Sequence, residues 1–218
     1  MSTLTGPEIQ GAIDKGWIEV DPFDPARIGS NSLDMTLGDE IKIYVDRDGR
    51  PLDLSYGEAL FMHPQDGQVR SEKSLVTHLD RKGAILDARE PRSTRRIQIP
   101  EDGLVLLPGR GYLAHTVEHV FTDQYVPHMH GRSSMGRLFL SIHQTAGWGD
   151  IGFAGEWTME ITCVHPVRVY AGMAIAQIAF DSPLGDILLY GDRKGSKYQN
   201  SKGAQSSRSH FDFGSEEE

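Results

Sequence analysis

Between Gly131 and Glu160 the chain reads GRSSMGRLFLSIHQTAGWGDIGFAGEWTME, placing phosphate-type donors and acid–base carboxylates within thirty residues. In Gly131-Arg132-Ser133-Ser134, glycine allows close backbone approach to a ligand. The arginine fork, two hydroxyls and turn N–H groups suit phosphate oxygens. Alone, these four residues describe a structural turn as readily as a ligand cradle. Arg137 and Glu160 form the second group. Glu160 lies in Trp157-Thr158-Met159-Glu160-Ile161, an apolar strand pattern whose two-residue period puts it on one face with Thr158 and Thr162. A glutamate there is either solvated or deliberately paired. If buried, it feels desolvation raising its pKa and a nearby arginine lowering it. A carboxylate so balanced can take a proton from water and return it to a leaving group, worth roughly 10²–10⁴ in rate.

Asp150 sits in the glycine-rich turn Gly147-Trp148-Gly149-Asp150-Ile151-Gly152. An aspartate in a turn commonly bonds its own backbone; the functional alternative is an acceptor for a sugar hydroxyl or an attacking water. Phe153 offers a flat wall against a sugar, or a core aromatic. His115 and His119, and His128 and His130, do not match zinc-site spacings, and His143 reads as a hydrogen-bonded structural histidine. A zinc nucleotide deaminase needs H-x-E with P-C-x-x-C. Cys163 is the only cysteine and H-x-E is absent, so that site cannot be built, and Walker and dinucleotide fingerprints are absent too.

These residues must be positioned by strands. Thr5-Gly6-Pro7-Glu8 reads as a capping box, Ile9, Ala12 and Ile13 give one apolar face, and Gly16 is a stop, predicting a short helix over about residues 6–15 as the only helix. Strands are expected at 41–45 before the Asp48-Gly49 hairpin signal, then at 104–107, 112–117, 121–129, 138–143, 157–164, 167–170 and 175–180. Many short strands without helical crossovers predict an all-β barrel or sandwich. Residues 47–84 fit the pattern poorly and read as an insertion. From Gly191 the chain is Gly-, Ser- and Lys-rich, an arm at 191–218 expected to be mobile unless a ligand or neighbouring subunit holds it.

A chain of 218 residues fits one domain, 1–218, able to bury a core without disulfides. The net charge of −9 argues against a general nucleic-acid binder, although Arg193, Lys194, Lys197, Lys202 and Arg208 face only Asp192 between 191 and 210. That basic segment is either an anion-binding arm or a solvated tail. No apolar run approaches a membrane span, the N-terminus does not read as a signal peptide, and the lone cysteine fits a reducing cytoplasm.

Together the residues resemble the dCTP deaminase branch of the dUTPase-like superfamily. The resemblance rests on GRSSMGR at 131–137, HQTAGW at 143–148, Asp150 with Gly152-Phe153, and the strand ending in Glu160. Further matches are Asn31 to Asp34, Leu37-Gly38, Ile85 to Ala88, Pro166 to Tyr170, Gly172-Met173 and Gly195 to Tyr198. It implies a distorted dUTPase-like β-barrel (β-clip) with a short N-terminal helix and a flexible C-terminal arm. It also implies a homotrimer with sites between subunits, and zinc-independent deamination of dCTP with Mg²⁺ accompanying the triphosphate.

By that resemblance Glu160 is general base and acid, Arg137 and Ser133 orient it and the water, and the Ala146 backbone helps hold that water. Arg132, Ser133, Ser134, Tyr190 and Lys197 hold phosphates, Asp150 accepts the 3′-hydroxyl, and Phe153 stacks near the sugar. The chain departs from the pattern at three places. Trp148 stands where monofunctional deaminases carry a basic residue, which is closer to bifunctional, dUMP-forming members. Ile151 replaces a frequent proline, and Ser201 stands where a phosphate-contacting glutamine is usual, with Gln199 close by. The leading expectation is release of dUTP and ammonia. The alternatives are a bifunctional enzyme continuing to dUMP and pyrophosphate, a dUTPase alone, and a non-catalytic nucleotide sensor.

Overall fold

The computed structural model describes residues 2–52 and 85–214. Most of the expected insertion at 47–84, and the acidic residues Glu216 to Glu218, lie outside the described residues. Helix α1 spans Gly6–Asp14, one residue short of the expected end, with Ile9 and Ala12 buried. Thr5 occupies the N-cap without making a side-chain cap bond, so the capping box does not form. Pro7 has no N–H and Gly6 donates to the Ser30 carbonyl at 2.7 Å, so two first-turn positions need no side-chain cap. Gly16 ends the helix in the left-handed region, φ +70°.

The strands in chain order are β1 Glu19–Asp21, β2 Leu33–Thr36, β3 Glu40–Tyr44, β4 Thr94–Gln98, β5 Leu104–Leu106 and β6 Tyr112–Phe121. After them come β7 Val126–Gly131, β8 Leu140–Ser141, β9 Ala154–Cys163, β10 Val167–Val169 and β11 Ala174–Asp181. One six-stranded sheet runs β4-β3-β6-β9-β8 with β1 also on β6; β2-β11-β7 form a second and β10-β5 a third. All these pairings are antiparallel. The all-β expectation holds; among the described residues no closed barrel forms, and three sheets lie around one core containing Met35, Ile43, Met159 and Phe180, an arrangement compatible with the distorted fold expected.

Several sequence expectations are corrected here. A second helix, α2, takes one turn over Ser133–Gly136, where only a turn was expected. The strand expected to stop at Val117 continues through a bulge between His115 and His119 to Phe121, and its successor begins at Val126. At the bulge the Thr116 hydroxyl replaces a ladder partner, accepting from the Trp157 N–H at 2.9 Å. Glu118 is 2% exposed, its carboxylate taking bonds from Arg27 (2.6 Å), the Thr36 hydroxyl (2.6 Å) and the Thr36 N–H (2.9 Å). The strand expected at 138–143 is reduced to two residues after Phe139, whose φ is +53°. Strands β1, β2 and β4 were not anticipated.

The arm read as mobile is, through Gly214, docked on its own chain. Strand β9 pairs with β6 on one edge, and along 154–156 its other edge is taken by the arm. Asn200 donates to the Ala154 carbonyl at 2.8 Å and Glu156 to the Ser201 carbonyl at 2.9 Å, covering an otherwise unpaired edge.

Candidate active site

Burial alternates along β9. Gly155, Trp157, Met159, Ile161 and Cys163 are buried, while Glu156, Thr158, Glu160 and Thr162 are half-buried on the opposite face. That face floors a cavity of about 420 Å³. Of the expected site residues, Ala146, Trp148, Asp150, Phe153, Glu160, Tyr190 and Ser201 all line it.

The loop carrying Ala146, Trp148 and Asp150 is pinned to β7 by its backbone. Met129 donates to the Gly147 carbonyl at 2.7 Å and Gly149 to the Pro127 carbonyl at 2.9 Å. The glycine at 149 is a packing requirement, since a Cβ would lie 2.2 Å from Cη2 of Trp157. Trp148 stays exposed and meets the ring of His128 edge to face, centroids 4.4 Å apart. Phe153 stands edge-on to Trp157 and Tyr190, at 5.6 and 5.8 Å.

Burial pushes the Glu160 carboxyl above the ordinary carboxylate range. The backbone N–H groups of Gln144 and Glu160, and the charge of His143, partly offset that rise. Glu160 also borders a second, more apolar cavity of about 550 Å³, sharing Tyr44 and Leu113 with the first. Asp150 differs. Its side chain is 51% exposed and lies 3.5 Å from the Arg193 guanidinium. Among the carboxylates that line this cavity, Glu160 is half-buried and Asp150 is open to solvent beside a guanidinium.

Of the residues expected to hold phosphates, Tyr190 lines the cavity and the others do not. Arg132, Ser133, Ser134 and Arg137 lie on and around α2 and do not line the cavity. Arg132 is held by Asp34 at 3.0 Å and by the Ala174 carbonyl at 3.3 Å. Ser133, Ser134 and Arg137 are exposed. Among the described residues Arg137 makes no ion pair, and it is not one of the charges acting on Glu160. Lys197 also points elsewhere, its ammonium on Asp212 at 2.5 Å. The Tyr190 hydroxyl accepts from the N–H groups of Lys197 (2.9 Å) and Tyr198 (3.0 Å). Ser201 turns its hydroxyl onto the Tyr198 carbonyl. Gln199 is occupied too, accepting from Ala154 at 3.2 Å and donating to the Gly152 carbonyl at 2.9 Å.

The sequence reading missed Tyr44, Glu156, Tyr198 and Gln205 to Ser207 as parts of the cavity wall. The two-residue period that places Thr158 beside Glu160 places Glu156 there as well, so that signal was available. Tyr44 carries none, because its place depends on β3 pairing with β6. Among the described residues no group of three or more His, Cys, Asp or Glu side chains is arranged to hold a metal ion, and no helix is long and apolar enough to cross a membrane.

A family model described as dCTP deaminase-like matches residues 3–68 and 66–182. A protein of Clostridium acetobutylicum named "dCTP deaminase, dUMP-forming" is 36% identical over 210 residues, 96% of this chain and 98% of that protein. One of the same name from Clostridium beijerinckii is 39% identical with the same coverage. Among solved structures, 2′-deoxycytidine 5′-triphosphate deaminase from Agrobacterium tumefaciens aligns with a TM-score of 0.54 at 17% identity. That alignment covers 83% of this chain and 48% of the other, and it bears on the fold alone.

Proposed function

The chain belongs to the dCTP deaminase-like family, and on that footing we propose that it deaminates dCTP and carries the product on to dUMP and pyrophosphate. The observation that carries this reading is the pair of unlike carboxylates, Glu160 and Asp150, on one cavity. The sequence reading put release of dUTP first. The dUMP-forming names of the two clostridial relatives and the presence of Asp150 beside Trp148 favour the longer course.

In the first step Glu160 takes a proton from a water held near the Ala146 backbone, and the oxygen adds to C4 of the cytosine ring. The same carboxyl then gives its proton to the amino group, the C4–N bond breaks, and ammonia and dUTP result. A raised pKa suits a group that must both accept and return a proton near neutrality. In the second step water adds at the α-phosphorus, pyrophosphate leaves, and Asp150 serves that step while accepting the 3′-hydroxyl. Phe153 lies against the sugar. Mg²⁺ enters with the triphosphate as part of the substrate.

Arg137 and Ser133, which orient Glu160 and the water in this scheme, come from a neighbouring copy of the chain. Support lies in the separation of α2 from the cavity and in the exposure of Leu138, Phe139 and Val164, the first two directly after α2. Arg132 and Ser134 of that neighbour, with Tyr190 and Lys197, hold phosphates. Lys197 must first leave Asp212, which a more highly charged triphosphate favours.

The test is incubation with dCTP and Mg²⁺, following ammonia, dUTP, dUMP and pyrophosphate. Ammonia with dUMP is expected. Asp150→Asn is expected to release ammonia at a rate within a few-fold of wild type while dUTP accumulates. Cleavage of dUTP without ammonia from dCTP would leave a dUTPase. Binding without turnover of either would leave a nucleotide sensor.

A further inference from the structure

The arm meets the active face through a ladder of unusual kind. At residues 200 and 201 its bonds to β9 are backbone to backbone. From Gly203 onward, alternate N–H groups of the arm go to side chains of the cavity wall. Gly203 donates to Oε2 of Glu156 at 2.6 Å, Gln205 to the Thr158 hydroxyl at 2.9 Å and Ser207 to the Tyr44 hydroxyl at 3.0 Å. The spacing matches on both sides, because Glu156 and Thr158 are two apart on β9, as are Gly203 and Gln205 on the arm. Between these rungs Ala204 is fully buried and its carbonyl accepts from the Lys42 ammonium.

Glu156 is the charged rung. Its Oε2 also lies 2.9 Å from Nδ1 of His115, a nitrogen that lies 2.9 Å from the Thr116 carbonyl as well. His115 is itself held, its ring packed so closely on Gly38 that a Cβ there would lie 2.3 Å from it. Charge-assisted bonds from backbone N–H groups are stronger than neutral ones, which makes this rung the dominant one. Tyr44 is a neutral rung, since burial raises its pKa and keeps the phenol protonated.

We propose that Glu156 is a positioning residue of the nucleotide site. Acting through the Gly203 N–H, it fixes the segment 203–207, whose residues 205–207 wall the cavity, with Thr158 and Tyr44 as supporting rungs. The kinetic half of the test rests on the dCTP reading given above; the structural half does not.

Glu156→Ala is expected to raise KM for dCTP about tenfold with kcat changed less than about twofold, the size expected from losing one charge-assisted bond. It is also expected to speed tryptic cleavage after Lys202, which is exposed on the docked arm. Glu156→Gln keeps a neutral acceptor for Gly203 and is expected to restore part of both effects, leaving it between wild type and Glu156→Ala. Tyr44→Phe keeps the ring and loses only its rung, and should shift KM and cleavage in the same direction by less. A Glu156→Ala protein that melts like wild type but keeps KM and the Lys202 cleavage rate within about twofold overturns the proposal. So does a fall in kcat at unchanged KM. If the wild type does not turn over dCTP, the functional reading fails, while the cleavage comparison of wild type, Ala and Gln proteins still decides the role of Glu156.

Discussion

Glu160 is held above the ordinary carboxylate range by burial, so the fold disfavours its charged form. A carboxyl whose folded pKa is raised contributes stability that is fully present below its unfolded pKa, about 4.3, and is lost as pH rises through the folded value. Glu160→Gln removes that dependence. The variant is expected to melt at a higher temperature than wild type near pH 7.5, with the difference closing as pH falls toward about 4. It should still bind dCTP yet lose deamination by about 10²-fold or more, the usual weight of a general base. Wild-type ammonia release should show an acid limb displaced upward from that of a free carboxylate. Melting curves at the two pH values and an ammonia assay check these together; retained turnover would remove Glu160 from the reaction.

At the scale of elements, the site is a strand face with a loop clamped beside it. The face was legible, because Trp157 to Ile161 alternates strictly and the alternation fixes which side Glu160 takes. The loop was legible as a glycine-rich turn, but the reason for Gly149 was not, since Trp157 approaches it only after β9 and β7 are placed. Gly149→Ala is expected to destabilise the protein by about 1–3 kcal/mol, as overpacking against a rigid indole does. It should also lower kcat/KM by moving Ala146 and Asp150, read by a melting curve and the dCTP assay. Strands β1 and β4 escaped notice because Glu-Val-Asp and Thr-Arg-Arg-Ile-Gln carry little apolar alternation; their pairing partners β6 and β3 define them. The docked arm escaped for a related reason. Much of its attachment is backbone N–H to side chain, which leaves no hydrophobic period in the sequence.

At the scale of the molecule, residues adjacent in sequence separate in space. The run from Gly131 to Glu160 reads as one site, yet one chain puts Arg132 to Arg137 on and around α2 and Ala146, Asp150, Phe153 and Glu160 around a cavity that α2 does not reach. Proximity along the chain could not reveal this, because β8 and the 143–150 loop intervene and turn the backbone away. In a trimer of the kind the resemblance implies, each site would take Glu160 from one subunit and Arg137 from the next, and that arrangement has a consequence a single-chain site lacks. Glu160→Gln and Arg137→Ala should each be inactive alone. When they are unfolded together and reassembled in equal amounts, the Arg137→Ala subunit supplies Glu160 and its neighbour supplies Arg137. Random assembly makes about three-quarters of the trimers mixed, each with one intact site of three, so about a quarter of wild-type activity should return. Light scattering on the same sample reports whether the assembly is trimeric. A mixture that stays inactive while the trimers demonstrably exchange subunits would place both residues in one subunit's site or remove Arg137 from it.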